Sequence, residues 1–164
     1  MQLLIMSDTH VPVRARDLPS ALWDEVLRAD AVLHAGDWMD VALLDALESC
    51  CDHVIGCWGN NDGFDLRSRL PEVGRAELGG LAFAVVHETG PSDGRERRMD
   101  ARYAGTDVLV FGHSHIPWDS LTPGGIRLLN PGSPTDRRAQ PVGTYLTATV
   151  AEGCLTDVVL HPVT

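Results

Sequence analysis

The chain has 164 residues, of which 44% are hydrophobic, and its formal net charge is −10, with every basic residue an arginine. This length and composition fit one folded domain over residues 1–164 and exclude a disordered chain. The negative charge disfavours binding to duplex nucleic acid, which needs a basic surface, and no apolar run approaches the roughly 18 residues of a membrane span.

The start of the chain and its cysteines indicate where it acts. No basic segment precedes the first apolar run, which predicts that there is no signal peptide and that the location is cytoplasmic. The four cysteines do not have the C-x-x-C spacing of metal sites. We therefore expect reduced thiols, as is usual in that compartment.

Strands and helices alternate in the first half of the chain. We predict strands at 2–6, 31–35 and 53–57, and helices at Leu18–Arg28 and Val41–Glu48. Asp17 or Ser20 is expected to cap the first helix and Asp40 the second. The alternation predicts parallel βαβ units.

The second half changes character. A Gly79-Gly80 turn joins predicted strands 73–78 and 81–86 into a hairpin. A polar helix at Asp93–Tyr103 and a strand at 107–111 follow, and then four short strands that look antiparallel, near 117–121, 125–129, 143–150 and 154–160. Both halves together predict an α/β fold with two sheets of mixed strands.

Five of the strand-like runs end in side chains that bind metals. The motifs that follow them are Asp8-Thr9-His10, Gly36-Asp37, Gly59-Asn60-Asn61-Asp62, a lone His87, and Gly112-His113-Ser114-His115. In open α/β sheets the crevice beyond the carboxyl ends of the strands is where ligands bind. The donors carry oxygen or nitrogen and no sulfur, which suits Mn, Fe, Zn or Ni ions better than a cysteine-based structural zinc. They are Asp8, His10, Asp37, Asn60, His87, His113 and His115.

These five motifs, in this order, resemble the calcineurin-like metallophosphoesterases. The resemblance is to the small bacterial and archaeal phosphodiesterase branch related to Vps29, and it extends over residues 1 to about 135, including Asn130-Pro131-Gly132-Ser133. It implies an α/β/β/α sandwich with two divalent metal ions, manganese being favoured. It also implies hydrolysis of a small phosphoester, most readily a phosphodiester, by a hydroxide that bridges the metals.

The donors divide into two groups around one carboxylate. Asp8 and His10 are two residues apart and point the same way if the segment is extended. We call Asp8, His10 and His115 the first donor group, expected to hold one ion, and Asn60, His87 and His113 the second donor group, expected to hold the other. Asp37, with two carboxylate oxygens, is expected to bridge the two ions.

Asp37, Asn61 and Asp62 are the residues expected to act in catalysis, Asp62 by supporting the Asn60-Asn61 turn. Many members of the family carry a histidine at the position of Asn61, where it is thought to protonate the leaving group. Many also have a second histidine where Thr89 stands, which puts the strength of the second metal site in doubt.

Several residues have two readings at this stage. His34 is either a core histidine or a support for the ligands, and Trp38 either a core residue or part of a substrate pocket. Arg95, Arg97 and Arg98 form either a phosphate clamp or a solvated helix face.

The function also has alternatives. A scaffold or protein-interaction module with this fold is one, although a scaffold has no need of an intact set of donors. A metal-dependent nucleotide binder is another, but the chain has no Gly-rich phosphate loop of the G-x-x-x-x-G-K type. A homo-oligomer is left open.

Overall fold

The structure, a computed structural model, describes residues 1–164. Its elements follow in the order β1 (Gln2–Met6), α1 (Ser20–Arg28), β2 (Ala31–His34), α2 (Val41–Cys50), β3 (Val54–Gly56), α3 (Phe64–Arg69), β4 (Val73–Leu78), β5 (Leu81–Val86), α4 (Arg95–Arg102), β6 (Val108–Val110), β7 (Trp118–Leu121), β8 (Arg127–Asn130), β9 (Thr144–Ala151) and β10 (Cys154–Pro162).

The strands form two five-stranded sheets. One has the order β10-β9-β1-β2-β3 and the other β4-β5-β6-β8-β7. Strands β1, β2 and β3 are parallel, as are β5, β6 and β8, whereas β9, β10, β4 and β7 pair antiparallel. Mixed strands in two sheets are therefore confirmed.

Strand alternation creates three hydrophobic layers. Along β1, Leu3 and Ile5 pack between the sheets, while Leu4 and Met6 point to the opposite face. That face is covered by apolar residues of α1 and α2, and the outer face of the other sheet by Met99 of α4. Burying each of these side chains contributes about 1.5–3 kcal/mol. The layers confirm the predicted α/β/β/α sandwich.

Helix boundaries show the main differences from expectation. Helix α3 was not predicted, because only Leu66 of its six residues is buried and no apolar period marks it. Asp40 caps α2 as predicted, its side chain accepting from the Ala42 N–H. The predicted caps of α1 are wrong, because its N-cap is Pro19 and the Asp17 carboxylate accepts from the Leu18 N–H.

All four cysteines are free thiols in this fold. The longest helix, α2, has ten residues, and the structure contains no helix with the length and hydropathy that a membrane span requires.

Candidate metal centre

All seven predicted donors lie at one edge of the sandwich. They follow the carboxyl ends of β1, β2 and β3 in one sheet and of β5 and β6 in the other. Parallel strands run in the same direction, so their carboxyl ends share an edge and the loops after them meet.

The first donor group is fully inside the protein. Asp8, His10 and His115 are 0%, 5% and 1% exposed. The His10 Nε2 lies 3.3 Å from the His115 Nε2, which lies 3.4 Å from the Asp8 Oδ1. Two imidazoles and a carboxylate thus direct their free atoms at one point.

The second donor group is equally close but more open. The Asn60 Oδ1 is 2.9 Å from the His87 Nε2 and 3.0 Å from the His113 Nδ1, and these two nitrogens are 3.3 Å apart. His87 is buried, whereas Asn60 is exposed and His113 half-buried. This side of the centre is accessible to solvent.

Asp37 lies between the two groups. Its Oδ2 is 3.6 Å from the His10 Nε2 and 3.5 Å from the His87 Nε2, so one carboxylate contacts both groups. The Asn61 backbone N–H donates to the Asp37 Oδ1 at 2.9 Å, and the Asn61 Nδ2 donates to the Oδ2 at 2.7 Å. Asn61 therefore orients Asp37.

The donor atoms are spaced as ligands of a divalent ion are. With metal–ligand bonds of about 2.1 Å, neighbouring ligand atoms are about 3.0–3.4 Å apart. The Asp8 Oδ1 is buried without a hydrogen-bond partner, which is costly for an anionic oxygen unless a cation is present. Asp8, His10 and His115 have donor atoms all within 4.8 Å of one another, and so do Asp8, Asp37 and His87. The residues fit a metal centre.

Left-handed backbone brings the donors together. The φ angles are 54° at Asp8, 47° at His10, 59° at Asp37, 69° at His113 and 58° at His115. Non-glycine residues in this region cost about 1–3 kcal/mol each and persist where the surrounding structure enforces them. The extended geometry assumed for Asp8 and His10 is wrong, because both residues have a left-handed backbone conformation.

Hydrogen bonds hold these loops in place. The Asp8 N–H donates to the Gly36 carbonyl at 2.9 Å, and the Ser133 hydroxyl to the Asp8 carbonyl at 2.7 Å. The Asn130 amide donates to the Gly112 carbonyl at 3.0 Å. The Asn130-Pro131-Gly132-Ser133 motif therefore ties the first and last donor loops together, a role that its sequence alone did not reveal.

Asp62 joins the two central loops. It is 3% exposed, and its carboxylate accepts from the backbone N–H groups of Asp37, Met39 and Gly59 at 3.0, 2.9 and 2.7 Å. Both oxygens are thus occupied by backbone donors. The structure gives Asp62 the position of a support for Asp37.

Two glycines are required by close approach. A Cβ at Gly112 would lie 1.9 Å from the Ser7 Oγ, and one at Gly59 would lie 2.2 Å from the Asp37 Oδ1. Each neighbour belongs to a donor loop, so no larger residue fits without displacing a ligand. This explains why glycine precedes the donors in the motifs at 59–62 and 112–115.

Backbone carbonyls fix which histidine nitrogen faces the centre. The His87 Nδ1 is 2.7 Å from the Ala35 carbonyl, and the His115 Nδ1 contacts the Asp136 carbonyl. In each ring the Nδ1–H donates to that carbonyl, which leaves the Nε2 free to bind a metal ion. Second-sphere carbonyls orient histidine ligands in this way at metal sites.

The charges of the centre shift two pKa values in opposite directions. Burial alone would raise the pKa of Asp37, but the hydrogen bond and charge of His87 and the N–H groups of Asn61 hold it well below its ordinary value. Burial would lower the pKa of His87, but Asp37 and Asp8 outweigh it and raise this pKa. The centre is thus an anionic pocket that favours a cation.

His34 and Trp38 lie under the centre. Trp38 is 0% exposed, stacks on His34 with ring centroids 3.6 Å apart, and donates to the Cys57 carbonyl. It is a core residue, and the substrate-pocket reading is wrong. His34 is also fully buried and contacts the Thr9 hydroxyl at 3.0 Å, so it supports the loop between Asp8 and His10.

The three arginines of α4 do not act together. Arg95 is buried, with its guanidinium 4.8 Å from the Phe111 ring and 4.4 Å from the Trp118 ring, so the solvated-face reading is wrong for it. Arg97 is exposed. Arg98 binds backbone carbonyls of the loop before α4, among them Thr89 at 3.1 Å.

A cavity of about 820 Å³ opens beside the second donor group. Asn60 and His87 form part of its wall, together with Trp58 and Arg98. The sequence alone does not reveal this cavity, because Trp58 and Arg98 are 40 residues apart and come together only through the fold.

Comparisons with known proteins agree with this geometry. A family model described as the calcineurin-like phosphoesterase superfamily domain matches residues 1–153. A Methanocaldococcus jannaschii protein named "Probable metallophosphoesterase" is 37% identical over 137 residues, which are 82% of this chain and 69% of that one. Another protein of the same organism, named a phosphodiesterase, is 27% identical over 127 residues, which are 70% of this chain and 74% of that one.

A solved structure shows the same architecture. Vps29 of Entamoeba histolytica complexed with Zn²⁺ superposes with a TM-score of 0.78, covering 98% of this chain and 97% of that one. The identity is 22%, so this likeness bears on the fold alone.

Proposed function

The chain belongs to the calcineurin-like phosphoesterase superfamily, and on that premise we propose that it is a phosphodiesterase with a centre for two divalent metal ions. Manganese is the ion that the family resemblance favours, and the carboxylate, amide and imidazole donors, which include no thiolate, suit it along with Fe, Zn and Ni. The free thiols support action in a reducing compartment such as the cytoplasm.

The observation that carries this proposal is the position of Asp37. Its Oδ2 is 3.6 Å from a nitrogen of the first donor group and 3.5 Å from a nitrogen of the second. A carboxylate placed midway between two three-residue groups is suited to bridging two ions about 3.5–4 Å apart.

Divalent ions, when bound, supply an activated water for attack on phosphorus and positive charge that offsets the phosphoryl oxygens. The chain's own residues position this chemistry. Asn61 fixes both oxygens of Asp37 through two N–H groups, and Asp62 holds the loops that carry Asp37 and Gly59. Asn61 is an amide and has no proton to give to a leaving group at neutral pH.

Two observations favour a diester over a monoester. A relative that is 27% identical is named a phosphodiesterase. The 820 Å³ cavity beside Asn60 and His87 also offers room for a second ester group next to a phosphate held at the centre. The donor set itself fits a monoester as well as a diester. The preference for a diester therefore rests on the relative's name and on the cavity.

The scaffold alternative makes a different prediction about metal. A protein-interaction module with silent chemistry has no need of the buried, partnerless Asp8 Oδ1 or of Asp37 between the two groups. Both features are understandable if ions bind. Hydrolysis measured together with metal content therefore separates the two functions.

The test combines metal analysis with hydrolysis. Protein at dialysis equilibrium with Mn²⁺ is expected to bind about two ions per chain above the level in the surrounding buffer, in line with two-metal sites. It should cleave bis(p-nitrophenyl) phosphate faster than p-nitrophenyl phosphate. A metal content that stays near zero, with no cleavage of either ester, would support the scaffold function instead.

A further inference from the structure

We infer that the cavity beside the second donor group binds the planar ring of a nucleoside-type ester group of the substrate, with Trp58 as its stacking surface. This inference rests on the proposed phosphodiesterase function and deepens it by naming a substrate class. A diester of this class places its phosphate at the centre and its heteroaromatic ring in the cavity.

The cavity is positioned for the group next to the reacting phosphate. Its wall includes Asn60 and His87 of the second donor group and no member of the first. Buried Val86 and Met99 supply apolar lining. A volume of about 820 Å³ falls within the roughly 300–1,000 Å³ usual for small-molecule sites.

The Trp58 ring is held in place before any ligand arrives. The Arg67 guanidinium lies 4.2 Å from its centroid. Arg67 is itself fixed, because its Nε donates to the Asp62 carbonyl at 2.7 Å and its Nη2 to the Asn60 carbonyl at 3.3 Å. Trp58 lines the cavity and Arg67 does not, so the indole presents to the cavity surface that the guanidinium leaves uncovered. A half-buried indole braced from behind is a ready stacking platform.

The charged wall is balanced and suits a neutral polar ring. Arg98 and Arg102 face the cavity together with Glu72 and Glu88, two cations and two anions. Such a wall gives hydrogen-bond donors and acceptors without a net charge for a second phosphate. A nucleobase presents both donors and acceptors on its edge, whereas an alkyl chain presents neither.

Arg98 makes the cavity wall rigid. Its Nη1 donates to the Asp93 carbonyl at 2.6 Å and its Nη2 to the carbonyls of Thr89 and Pro91. These bonds tie the loop before α4 to the helix, and Thr89 and Gly90 of that loop line the cavity. The site is therefore formed in advance, which lowers the entropic cost of binding a ring.

The chain offers a matched control for Trp58. Trp118 is also half-buried, and an arginine, Arg95, lies 4.4 Å from its ring. It lines no part of this cavity. Replacing Trp118 tests whether the loss of any arginine-braced tryptophan gives the same effect as the loss of Trp58.

The experiment compares two diesters that share one leaving group. These are the p-nitrophenyl ester of thymidine monophosphate and methyl p-nitrophenyl phosphate, each assayed on the full chain with Mn²⁺. Calorimetry with thymidine monophosphate measures ring binding without turnover. The variants are Trp58→Leu, Trp58→Phe and Trp118→Leu, with metal content as the check that each retains its centre.

The expected result is a KM for the thymidine ester lower than that for the methyl ester by on the order of tenfold, as one stacked base provides. Trp58→Leu should abolish this difference, Trp58→Phe should retain part of it, and Trp118→Leu should leave it unchanged. Thymidine monophosphate affinity should follow the same order. If Trp58→Leu loses metal, Trp58→Phe alone carries the comparison, with an intermediate preference expected.

Two outcomes overturn the inference while the proposed function stands. One is hydrolysis of both esters with equal KM values, and the other is a thymidine preference that survives Trp58→Leu. If neither ester is cleaved, the proposed function fails, and calorimetry decides the inference on its own. Binding that depends on Trp58 then supports the ring site, and equal or absent binding in the unmodified protein and Trp58→Leu rejects it.

Discussion

The two donor groups on either side of Asp37 have nearly the same spacing but very different surroundings. In the first group every member is buried, and the Asp8 Oδ1 has no partner. In the second group the His113 side chain is 42% exposed and Asn60 lies at the surface. One half of the centre is closed by the fold and the other opens onto solvent and the cavity.

Because of this difference, we expect the two donor groups to have different roles. A desolvated carboxylate is stabilised strongly by a cation, because little water screens the charge. The second group contains no anion, and two of its members, Asn60 and His113, are open to solvent and so compete with water. We therefore expect the first donor group to bind its ion more tightly and to contribute to stability, and the second to exchange its ion and to contact the substrate.

Replacing Asp37 should disrupt both donor groups at once and give the largest loss of activity. Asp37→Asn removes the charge from the one carboxylate that contacts both groups, so kcat for bis(p-nitrophenyl) phosphate should fall by on the order of 10³ or more. The measurement is steady-state kinetics with Mn²⁺ at saturation.

The matched control is Asp62→Asn, in the same network but bonded to backbone N–H groups. Its loss should appear mainly in stability, with a far smaller drop in kcat. Small and equal losses in both variants would show that Asp37 is not the bridge.

Asn61 allows a test of how the leaving group is protonated on the solvent-exposed side of the centre. A poor leaving group needs a proton, and a positioned general acid is worth about 10²–10⁴-fold. Because the Asn61 amide donates to Asp37 and cannot give up a proton, the rate should depend steeply on leaving-group pKa. Aryl diesters should be cleaved much faster than alkyl diesters.

Asn61→His is expected to recover part of that difference, raising kcat for alkyl esters by up to about 10² and for aryl esters by less. A leaving-group series on both proteins, with pH–rate profiles, is the measurement. A flat dependence in the unmodified protein would show that another group already serves as the acid.

Removing one histidine from each group tests the difference between them directly. His115→Ala leaves a void beside the buried Asp8 carboxylate, so the free energy of unfolding should fall by about 3 kcal/mol. His113→Ala, at a half-exposed position, should cost less than about 0.5 kcal/mol. Chemical unfolding in the presence of a chelator gives both values.

The dissociation rate of the remaining ion should separate the same two variants. Each is expected to retain about one ion per chain, but the ion left in His113→Ala should dissociate more slowly than the one left in His115→Ala. Equal dissociation rates would show that the first donor group does not bind its ion more tightly than the second.

The sequence predicted that the candidate donors meet at one edge of the fold, but it did not predict which contacts position their loops. Four buried residues of β2 followed by Gly36-Asp37 form a local pattern, and the parallel strands bring such patterns to one edge. The backbone at Asp8 and His10, both with positive φ, is bonded to residues distant in the chain: Asp8 donates to Gly36 and accepts from Ser133, and the His10 N–H donates to the Asp37 carbonyl. Single-chain periodicity carries no signal for such contacts.

The burial of charged residues was also not predictable from the sequence. A polar helix such as α4 normally faces solvent, yet Arg95 lies between Phe111 and Trp118 because two aromatic rings cover it. The cavity beside Trp58 has the same origin, since its wall joins residues from the loop after β3, from β5 and from α4. Such features follow from tertiary packing and not from local pattern.

His34 provides the last and smallest test, because it lies directly beneath the first donor group. The Gly36 N–H donates to its Nδ1 at 3.2 Å, so the Nε2 carries the proton and donates to the Thr9 hydroxyl. A second proton would face that Gly36 N–H in a dry site. Complete burial, followed by the charge of His87, lowers the pKa of His34 from 6.5 to about 3.

The sign of the resulting pH dependence follows from linkage. Above pH 6.5 His34 is neutral in both states and contributes no pH dependence. As pH falls from 6.5 towards 3, the unfolded chain binds a proton that the folded protein does not, so stability is lost. At pH 5 the loss from this residue is about 2 kcal/mol. The raised pKa of His87 acts in the opposite direction, so the measurement must isolate His34.

Comparison with His34→Gln provides that isolation, because glutamine can still donate to Thr9 but does not titrate. Urea unfolding in chelator at pH 7 and pH 5 should show about 2 kcal/mol more acid loss in the unmodified protein than in His34→Gln. His53→Gln removes an exposed imidazole instead and should retain the full acid loss. The same acid loss in the unmodified protein and in His34→Gln would mean that His34 is protonated in the folded state at pH 5. The closed half of the centre would then tolerate charge, contrary to the comparison with the open half.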